Sequence, residues 1–386
     1  MKQKYTLPIL TLGHFIVDLA CLYFYFANFP QCGMISIINN ALLYNFLAFA
    51  LQAPIGFLFD KFPANHSTAT GILFVLGGYL LGLWHFSAAG LLLCGLGNAF
   101  YHVGGSIGIG RTDKKGLRDS GIFVSTGALG VSLGTYLAAH SKELSDFFAH
   151  FTTSVMFPLL IVLFILQILV VSPGRQTPAS FSPKTNAAFL LLSLSAIFIR
   201  SLGGLFFPPH YKEVLVFSNN IPLNIFLVAM SSGIAAFFGK FSGGFLSILC
   251  TNLLHRFAPA KTVDLRTGNY IFGIITLLFS CLLLTLAGHI PALCFLGILC
   301  FHAAMPVTLF ELYCILPDRP GFAMGLSTVM LFLGYLPYAF APLTDLPASL
   351  ILCILTLLAI VCMLASLLLY LRSSHTREEK TNGGMP

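Results

Sequence analysis

The sequence predicts an all-α membrane protein with twelve transmembrane helices in two six-helix bundles. The first observation behind this prediction is the composition: of 386 residues, 57% are hydrophobic and only 9% are charged, and the mean hydropathy is +0.89. Soluble domains carry about 25% charged residues. A chain with so few charges cannot cover a water-exposed surface, which excludes a soluble enzyme, a disordered chain and a nucleic-acid binder.

The second observation is a series of apolar runs that are long enough to cross a bilayer, since roughly 20 residues span about 30 Å of hydrocarbon. We count twelve such runs, at 5–27, 38–59, 67–87, 89–110, 119–139, 151–171, 187–208, 222–246, 268–289, 291–314, 321–343 and 347–371. Apolar character around the eighth run continues from Ile221 to Leu254. This predicts a tilted helix or a helix with an amphipathic extension.

The third observation is the distribution of positive charge. An even number of spans places both termini on one side. With a cytoplasmic amino terminus, sixteen of the 20 Lys and Arg residues fall in inner loops and tails, and only Lys142 and Lys212 fall in outer loops. This positive-inside bias predicts a multi-pass protein of the cell membrane with cytoplasmic N- and C-termini.

A polar, Pro-rich stretch at 172–186 separates the sixth span from the seventh. It predicts a cytoplasmic linker between an N-terminal bundle at 1–171 and a C-terminal bundle at 187–371. The remaining residues, 372–386, have the composition of a disordered cytoplasmic tail.

Weak internal similarity supports two related halves. The matching segments are NNALLYNFLAF from Asn39 with NNIPLNIFLVA from Asn219, FIVDLACLYF from Phe15 with FIRSLGGLFF from Phe198, and the surroundings of His102 with those of His302. Three matches in the same order along both halves are typical of parallel repeats in transporters.

Ionisable side chains inside the spans are the candidate functional residues, because each costs about 2.5–3.5 kcal/mol at the bilayer centre. These candidates are His14, Asp18, His102, Arg200, Lys240, His302 and Glu311. Counting about 1.5 Å per residue from the span ends places Lys240 and Glu311 nearer the cytoplasmic ends and the others near the midplane.

His14 and Asp18 are four residues apart and therefore share one helix face. A carboxylate beside an imidazole can exchange a proton near neutral pH. We predict that Asp18, with His14 or His102, is the proton-coupling site. The structural alternative is that the histidines only hydrogen-bond to a neighbouring helix.

Arg200 and His302 are predicted to bind substrate. Arg200 keeps its charge at neutral pH, so it either binds an anionic group of the substrate or acts as a counter-ion to Asp18; the alternative for His302 is packing. Lys240 and Glu311 near the interface are assigned structural or gating roles, because long side chains reach the headgroup region easily.

The ten cysteines lie almost entirely inside spans and form no C-x-x-C pair. They are interpreted as small packing residues, so we predict no disulfide framework, no structural metal site and no cofactor.

Four short motifs resemble a known family. GFLFDKF, from Gly56, is similar to the G-x-L-x-D-R/K-x-G loop of the major facilitator superfamily, with Pro63 where a glycine is usual, and GALGVSLG, from Gly127, resembles its glycine-rich fifth-helix motif. GHFIVDLACLYF, from Gly13, and GNAFYHVGG, from Gly97, resemble the fosmidomycin-resistance-like branch.

The resemblance implies alternating access around a central cavity lined by spans one, four, seven and ten, which carry the five midplane groups. The motif match assigns gating to Gly56, Asp60 and Lys61. Asp60 is then expected to cap a helix end or to pair with Arg118 or Lys115. The second-half counterpart, from Gly239, has no matching acid, so a symmetric second latch is not expected.

The predicted function is proton-coupled export of a small organic compound. The expected partners are a small-molecule substrate, protons and membrane lipid, with no nucleic acid, and the chain is expected to be a monomer. No nucleotide-binding loop or hydrolase motif occurs in the sequence, so it is not expected to be an enzyme.

Three alternatives remain open from the sequence. The first is uptake of an organic anion bound by Arg200. The second is movement of a divalent metal by Asp18 with His14 and His102. The third is a transport-inactive sensor or scaffold.

Overall fold

The computed structural model describes residues 2–29, 34–62, 66–140, 150–171, 187–204, 221–257, 263–287, 290–340 and 348–382. Throughout these ranges the regular structure is helical, and no strand occurs in them. This confirms the predicted all-α membrane fold.

Among the described residues, six helices form the N-terminal half, with an interrupted helix counted as one. They are α1 (Lys2–Asn28), α2 (Met34–Asn45, Phe46–Ala50 and Gln52–Lys61), α3 (Ser67–Leu83), α4 (Ser87–Ile109), α5 (Lys114–His140) and α6 (Thr152–Met156 and Phe157–Val170). Six more helices form the described part of the C-terminal half. They are α7 (Ala187–Gly204), α8 (Ile221–Phe257), α9 (Leu265–Leu286), α10 (Pro291–Ala303 and Met305–Ile315), α11 (Pro320–Phe340) and α12 (Ala348–Asn382).

Each predicted span corresponds to one of these helices. Ten of the described helices are long and apolar enough to cross a membrane, and the two other predicted spans are α3, an apolar helix of 17 residues, and α4, of 23 residues. α8 extends over 37 residues, in keeping with the long apolar stretch. α12 continues to Asn382, through most of the segment expected to be a disordered tail. The predicted linker at 172–186, Lys142 and Lys212 lie outside the described residues.

Two helices are interrupted beside the centre of the bundle. α2 contains a π-helical turn at Phe46–Ala50, and α10 breaks at Ala304, after which Pro306 stands in the first turn of the second segment. Proline lacks the N–H that would continue the hydrogen-bond ladder. Phe49 in the π turn lines the central cavity, and interruptions of this kind occur often at functional sites.

Glycines allow α1 and α5 to pack closely. A Cβ atom at Gly130 would lie 2.3 Å from the carbonyl oxygen of Phe15, and one at Gly134 would lie 2.5 Å from that of Leu19. No other residue fits at such distances, so the glycine-rich motif in α5 is a helix-packing surface.

The two halves meet along α2 with α11 and along α5 with α8. A Cβ atom at Gly56 would lie 2.2 Å from the carbonyl oxygen of Gly321, and one at Gly244 would lie 2.8 Å from that of Leu117. We call the end of the bundle where α2 ends and α11 begins the α2/α11 end. Backbone contact between the halves closes the molecule at this end.

Candidate functional site

A central cavity of about 350 Å³ lies between the two halves. Helices α1, α2, α4 and α5 line it from the N-terminal half, and α7, α8, α10 and α11 line it from the C-terminal half. The ionisable groups among its described lining residues are His14, Asp18, His102, Lys240 and His302. Its size falls within the range of small-molecule sites, about 300–1,000 Å³.

Asp18 is the centre of a buried polar cluster in the N-terminal half. Asn98 Nδ2 donates a hydrogen bond of 2.8 Å to Asp18 Oδ1. His14 Nε2 lies 3.2 Å from Oδ2, and His102 Nε2 lies 3.6 Å from Oδ1. The two imidazole rings meet edge to face, with centroids 4.3 Å apart. The structure therefore brings together the three residues predicted for proton coupling.

Backbone carbonyls orient both imidazoles. His14 Nδ1 lies 2.6 Å from the carbonyl oxygen of Phe123, and His102 Nδ1 lies 2.8 Å from that of Asn98. A carbonyl only accepts hydrogen bonds, so each Nδ1 carries a proton. Nε2 of each ring faces the carboxylate, and a favourable contact requires a proton on Nε2 or on Asp18. The cluster can thus hold a proton shared among three groups.

The same atoms form a metal-ligand set when Nε2 is unprotonated. The ligand atoms of His14, Asp18 and His102 lie within 4.8 Å of one another. Two imidazoles and one carboxylate suit divalent transition metals, and Nδ1–H bonds to carbonyls are the usual orienting contacts. Protons and a metal ion would therefore compete for the same atoms.

Gly127 of α5 packs directly on the cluster. A Cβ atom there would lie 2.4 Å from Asp18 Oδ2 and 2.5 Å from His14 Nε2. The glycine therefore leaves room for the carboxylate and the imidazole on the facing side of α1.

The C-terminal wall of the cavity carries Lys240 and His302. His302 lies at the cavity, in the position that corresponds to His102 in the repeat. The expectation that Lys240 lies near the cytoplasmic end of its span is wrong. α8 continues to Phe257, well past the predicted end at 246, and this places Lys240 near the middle of the helix.

Arg200 is buried, but it is not among the residues that line the cavity. Its guanidinium donates to Thr308 Oγ1 at 3.2 Å and to the carbonyl oxygen of Phe301 at 3.0 Å, both on α10. The structure therefore does not place Arg200 in the described cavity lining, where a substrate-binding residue was expected. Among the ion pairs of the described residues, Asp18 pairs with His14 and His102 and not with Arg200.

At the α2/α11 end, Asp60 joins the two halves. Its carboxylate accepts hydrogen bonds from the backbone N–H of Gly321, at 3.0 Å, and of Phe322, at 2.7 Å. Both N–H groups belong to the first turn of α11. Asp60 therefore caps a helix end, which is the first of the two roles expected from the sequence. Among the described residues, Asp60 pairs with neither Arg118 nor Lys115, and Arg118 bonds instead to its neighbour Asp119 at 2.7 Å.

Two other predicted gating residues differ in their surroundings. Lys61 Nζ stands over the ring of Phe62, 5.3 Å from its centroid. Glu311 is buried in the C-terminal half and pairs with Arg266 of α9 at 2.9 Å. Glu311 therefore ties two helices of the same half together.

Asn98 is a site residue that the sequence analysis did not single out. It lies four residues before His102, so both side chains project from the same face of α4 toward Asp18. That spacing, inside a motif already noted for its histidine, was the available signal.

Comparison with known proteins identifies the fold. No protein-family model matches the chain, and no curated protein matches its sequence. Among solved structures, the E. coli fucose:proton symporter FucP matches with a TM-score of 0.64 at 13% identity, over 95% of this chain and 99% of that chain. FucP in the outward conformation, described as a major facilitator superfamily transporter, matches with a TM-score of 0.62 at 14% identity, over 95% and 99%.

A bacterial homologue of the iron transporter ferroportin, in an outward-facing state, matches with a TM-score of 0.58 at 15% identity, over 96% of this chain and 99% of that chain. Identity this low shows the fold alone. The chain has the major facilitator fold.

Proposed function

We propose that the chain is a secondary active transporter of the major facilitator superfamily that moves a small organic compound and couples this movement to protons. The observation that carries the proposal is the cluster of His14, Asp18 and His102 in the wall of a cavity lined by both halves of the chain. The similar fold of a fucose:proton symporter supports proton coupling. Resemblance to the fosmidomycin-resistance-like branch supports export as the direction.

In the proposed mechanism, the proton changes the electrostatics between the halves. With both imidazoles neutral and Asp18 ionised, the cluster is negative and attracts Lys240 across the cavity. One added proton neutralises the cluster and removes that attraction. The interface between the halves then rearranges, and Asp60 releases or restores its contacts with α11.

Proton flux into liposomes tests this function. We expect at least one member of a panel of small organic compounds, including fucose and benzoate, to drive proton movement reported by pyranine inside the vesicles. Asp18→Asn should abolish this flux and leave exchange of the same compound across the membrane measurable. Asp113→Asn, which changes an exposed loop carboxylate, is the matched control. Proton flux in Asp18→Asn equal to that of the unmodified protein would refute the coupling role.

A divalent metal is the second candidate substrate, favoured by the convergence of the three ligand atoms. The structural likeness to a ferroportin homologue is in keeping with it. If it is correct, Mn²⁺ or Co²⁺ raises the melting temperature of the purified protein, and His14→Ala removes the effect. His255→Ala, at an exposed position of α8, should keep it. An unchanged melting temperature at millimolar metal rules this candidate out.

We also propose that both termini are cytoplasmic, as the distribution of Lys and Arg predicts. Under this topology the α2/α11 end faces the cytoplasm and is closed. Exchange of any compound in the vesicles above excludes the transport-inactive alternative.

A further inference from the structure

We propose that Lys240 is the substrate-recognition residue of the cavity and that the substrate is a small amphipathic organic molecule with one anionic group, such as a carboxylate. This inference rests on the proposed transport function and specifies its substrate class. The anion-binding residue is then Lys240, which lines the cavity, and not Arg200, which does not.

The packing of α8 on α10 fixes where Lys240 lies. A Cβ atom at Gly239 would lie 2.4 Å from the carbonyl oxygen of Leu299 and 2.9 Å from His302 Cβ. One at Gly243 would lie 2.2 Å from the carbonyl oxygen of Ala303. These glycines bring the two backbones together on either side of Lys240, so that Lys240 and His302 line the same wall.

The ammonium of Lys240 has no hydrogen bond and no ion pair with any residue that the structure describes. Asp18 attracts it only at longer range, from the other half. The oxygens of Asp18 already accept a hydrogen bond from Asn98 and lie beside the two imidazoles of the cluster. Lys240 is only partly buried and lines the cavity, so its ammonium is accessible from that space. An anion bound there would pair with it where little water remains, and a charge in such surroundings is favourable only when it is paired.

The rest of the cavity limits what else the ligand carries. Asp18 on the opposite wall repels a second negative charge. The lining between the walls is largely apolar and includes Phe49, Val124, Ile298, Leu309, Met324 and Leu331. A molecule with one anionic end and an apolar body matches both features.

Matched ligand pairs test the proposal directly. The probes are benzoate against benzamide and indole-3-acetate against indole-3-acetamide, which share shape and differ in charge. Thermal unfolding of the purified full chain, at increasing ligand concentration, gives apparent affinities because a ligand stabilises the state that it binds. We expect the anions to raise the melting temperature and the amides to leave it unchanged.

Lys240→Met should weaken anion binding by at least about thirtyfold, the usual effect of removing one member of a buried charge pair. Lys240→Arg should restore most of the affinity, and Lys115→Met, which removes an exposed lysine outside the cavity, should behave like the unmodified protein. Without ligand, Lys240→Met should melt at or above the unmodified protein, because it removes an unpaired charge from a largely apolar cavity wall. That result would show that the variant folds.

Three results would overturn the proposal: equal stabilisation by anion and amide, undiminished anion binding in Lys240→Met, or no response to either anion. Each leaves the transport function standing if compounds still drive proton flux in liposomes. Conversely, anion binding that depends on Lys240 in a protein without any flux would refute the transport function alone.

Discussion

Replacing Asp60 with alanine should open the α2/α11 end of the molecule. The carboxylate crosses from the last turn of α2 to the first turn of α11 and accepts two backbone hydrogen bonds there. In the proposed transport cycle, these contacts must break whenever the cavity opens at this end. Their loss therefore destabilises the closed state and leaves the open state unchanged.

The size of the effect follows from the two contacts. A hydrogen bond to a charged group contributes about 1.5–3 kcal/mol, and loss of a helix cap costs about 0.5–2 kcal/mol. The cost of burying the Asp60 carboxylate offsets part of this stabilisation, so we take about 2 kcal/mol for the two hydrogen bonds together. That changes the ratio of open to closed molecules by roughly thirtyfold. An open state populated at about one in 100 would rise to about one in four.

Distances between spin labels at Lys115→Cys and Arg256→Cys, in a background without the native cysteines, measure this ratio. Both positions are exposed, and Lys114 and Asn252, which bond at 2.9 Å, place their helices side by side at this end. We expect a second, longer distance in Asp60→Ala.

The control is Asp113→Ala. Asp113 also accepts a backbone N–H at a helix start, from Gly116 at 2.8 Å, but within one half. Its loss should leave the distances unchanged. If Asp60→Ala gives the same distribution as the unmodified protein, the carboxylate does not hold the halves together and the reasoning fails.

Two further predictions concern packing. Arg266→Met should lower the melting temperature strongly, because removing one member of a buried ion pair costs about 3–5 kcal/mol. Adding Glu311→Gln should recover most of the lost stability. An Arg266→Met variant as stable as the unmodified protein would contradict this reasoning. Gly127→Ala should destabilise the protein by about 1–3 kcal/mol and weaken proton flux, since its Cβ would collide with Asp18. Gly203→Ala is the control and should be neutral in both assays, because its Cβ would come no nearer than 3.7 Å to any described residue and Gly203 does not line the cavity.

The helices could be predicted from the sequence because the bilayer imposes length and apolarity on each span. α9, predicted at 268–289, is observed at Leu265–Leu286, and the glycine-rich α5 packs against α1 as its composition indicates. The cluster could also be predicted, since the spacing of His14 and Asp18 fixes a common face and His102 lies at a similar depth.

Contacts between distant parts of the chain could not be predicted. The partners of Asp60 follow it by more than 250 residues, and no local pattern marks backbone N–H groups as ligands. Lys240 was misplaced for a related reason. Hydropathy locates the apolar part of a helix, but α8 extends beyond it through Thr251 and Asn252 to Phe257.

The position of Arg200 outside the cavity lining follows from the register of the internal repeat. When FIVDLACLYF is matched to FIRSLGGLFF, Arg200 falls on Val17, and Asp18 falls on Ser201. One residue along a helix is a rotation of about 100°. Arg200 is therefore turned away from the face that Asp18 uses, and it bonds to α10, just as Val17 is fully buried in its own half. The second half of the repeat therefore has no charged residue at the position of Asp18. The cation that the C-terminal half contributes to the described cavity wall is instead Lys240 on α8, beside His302.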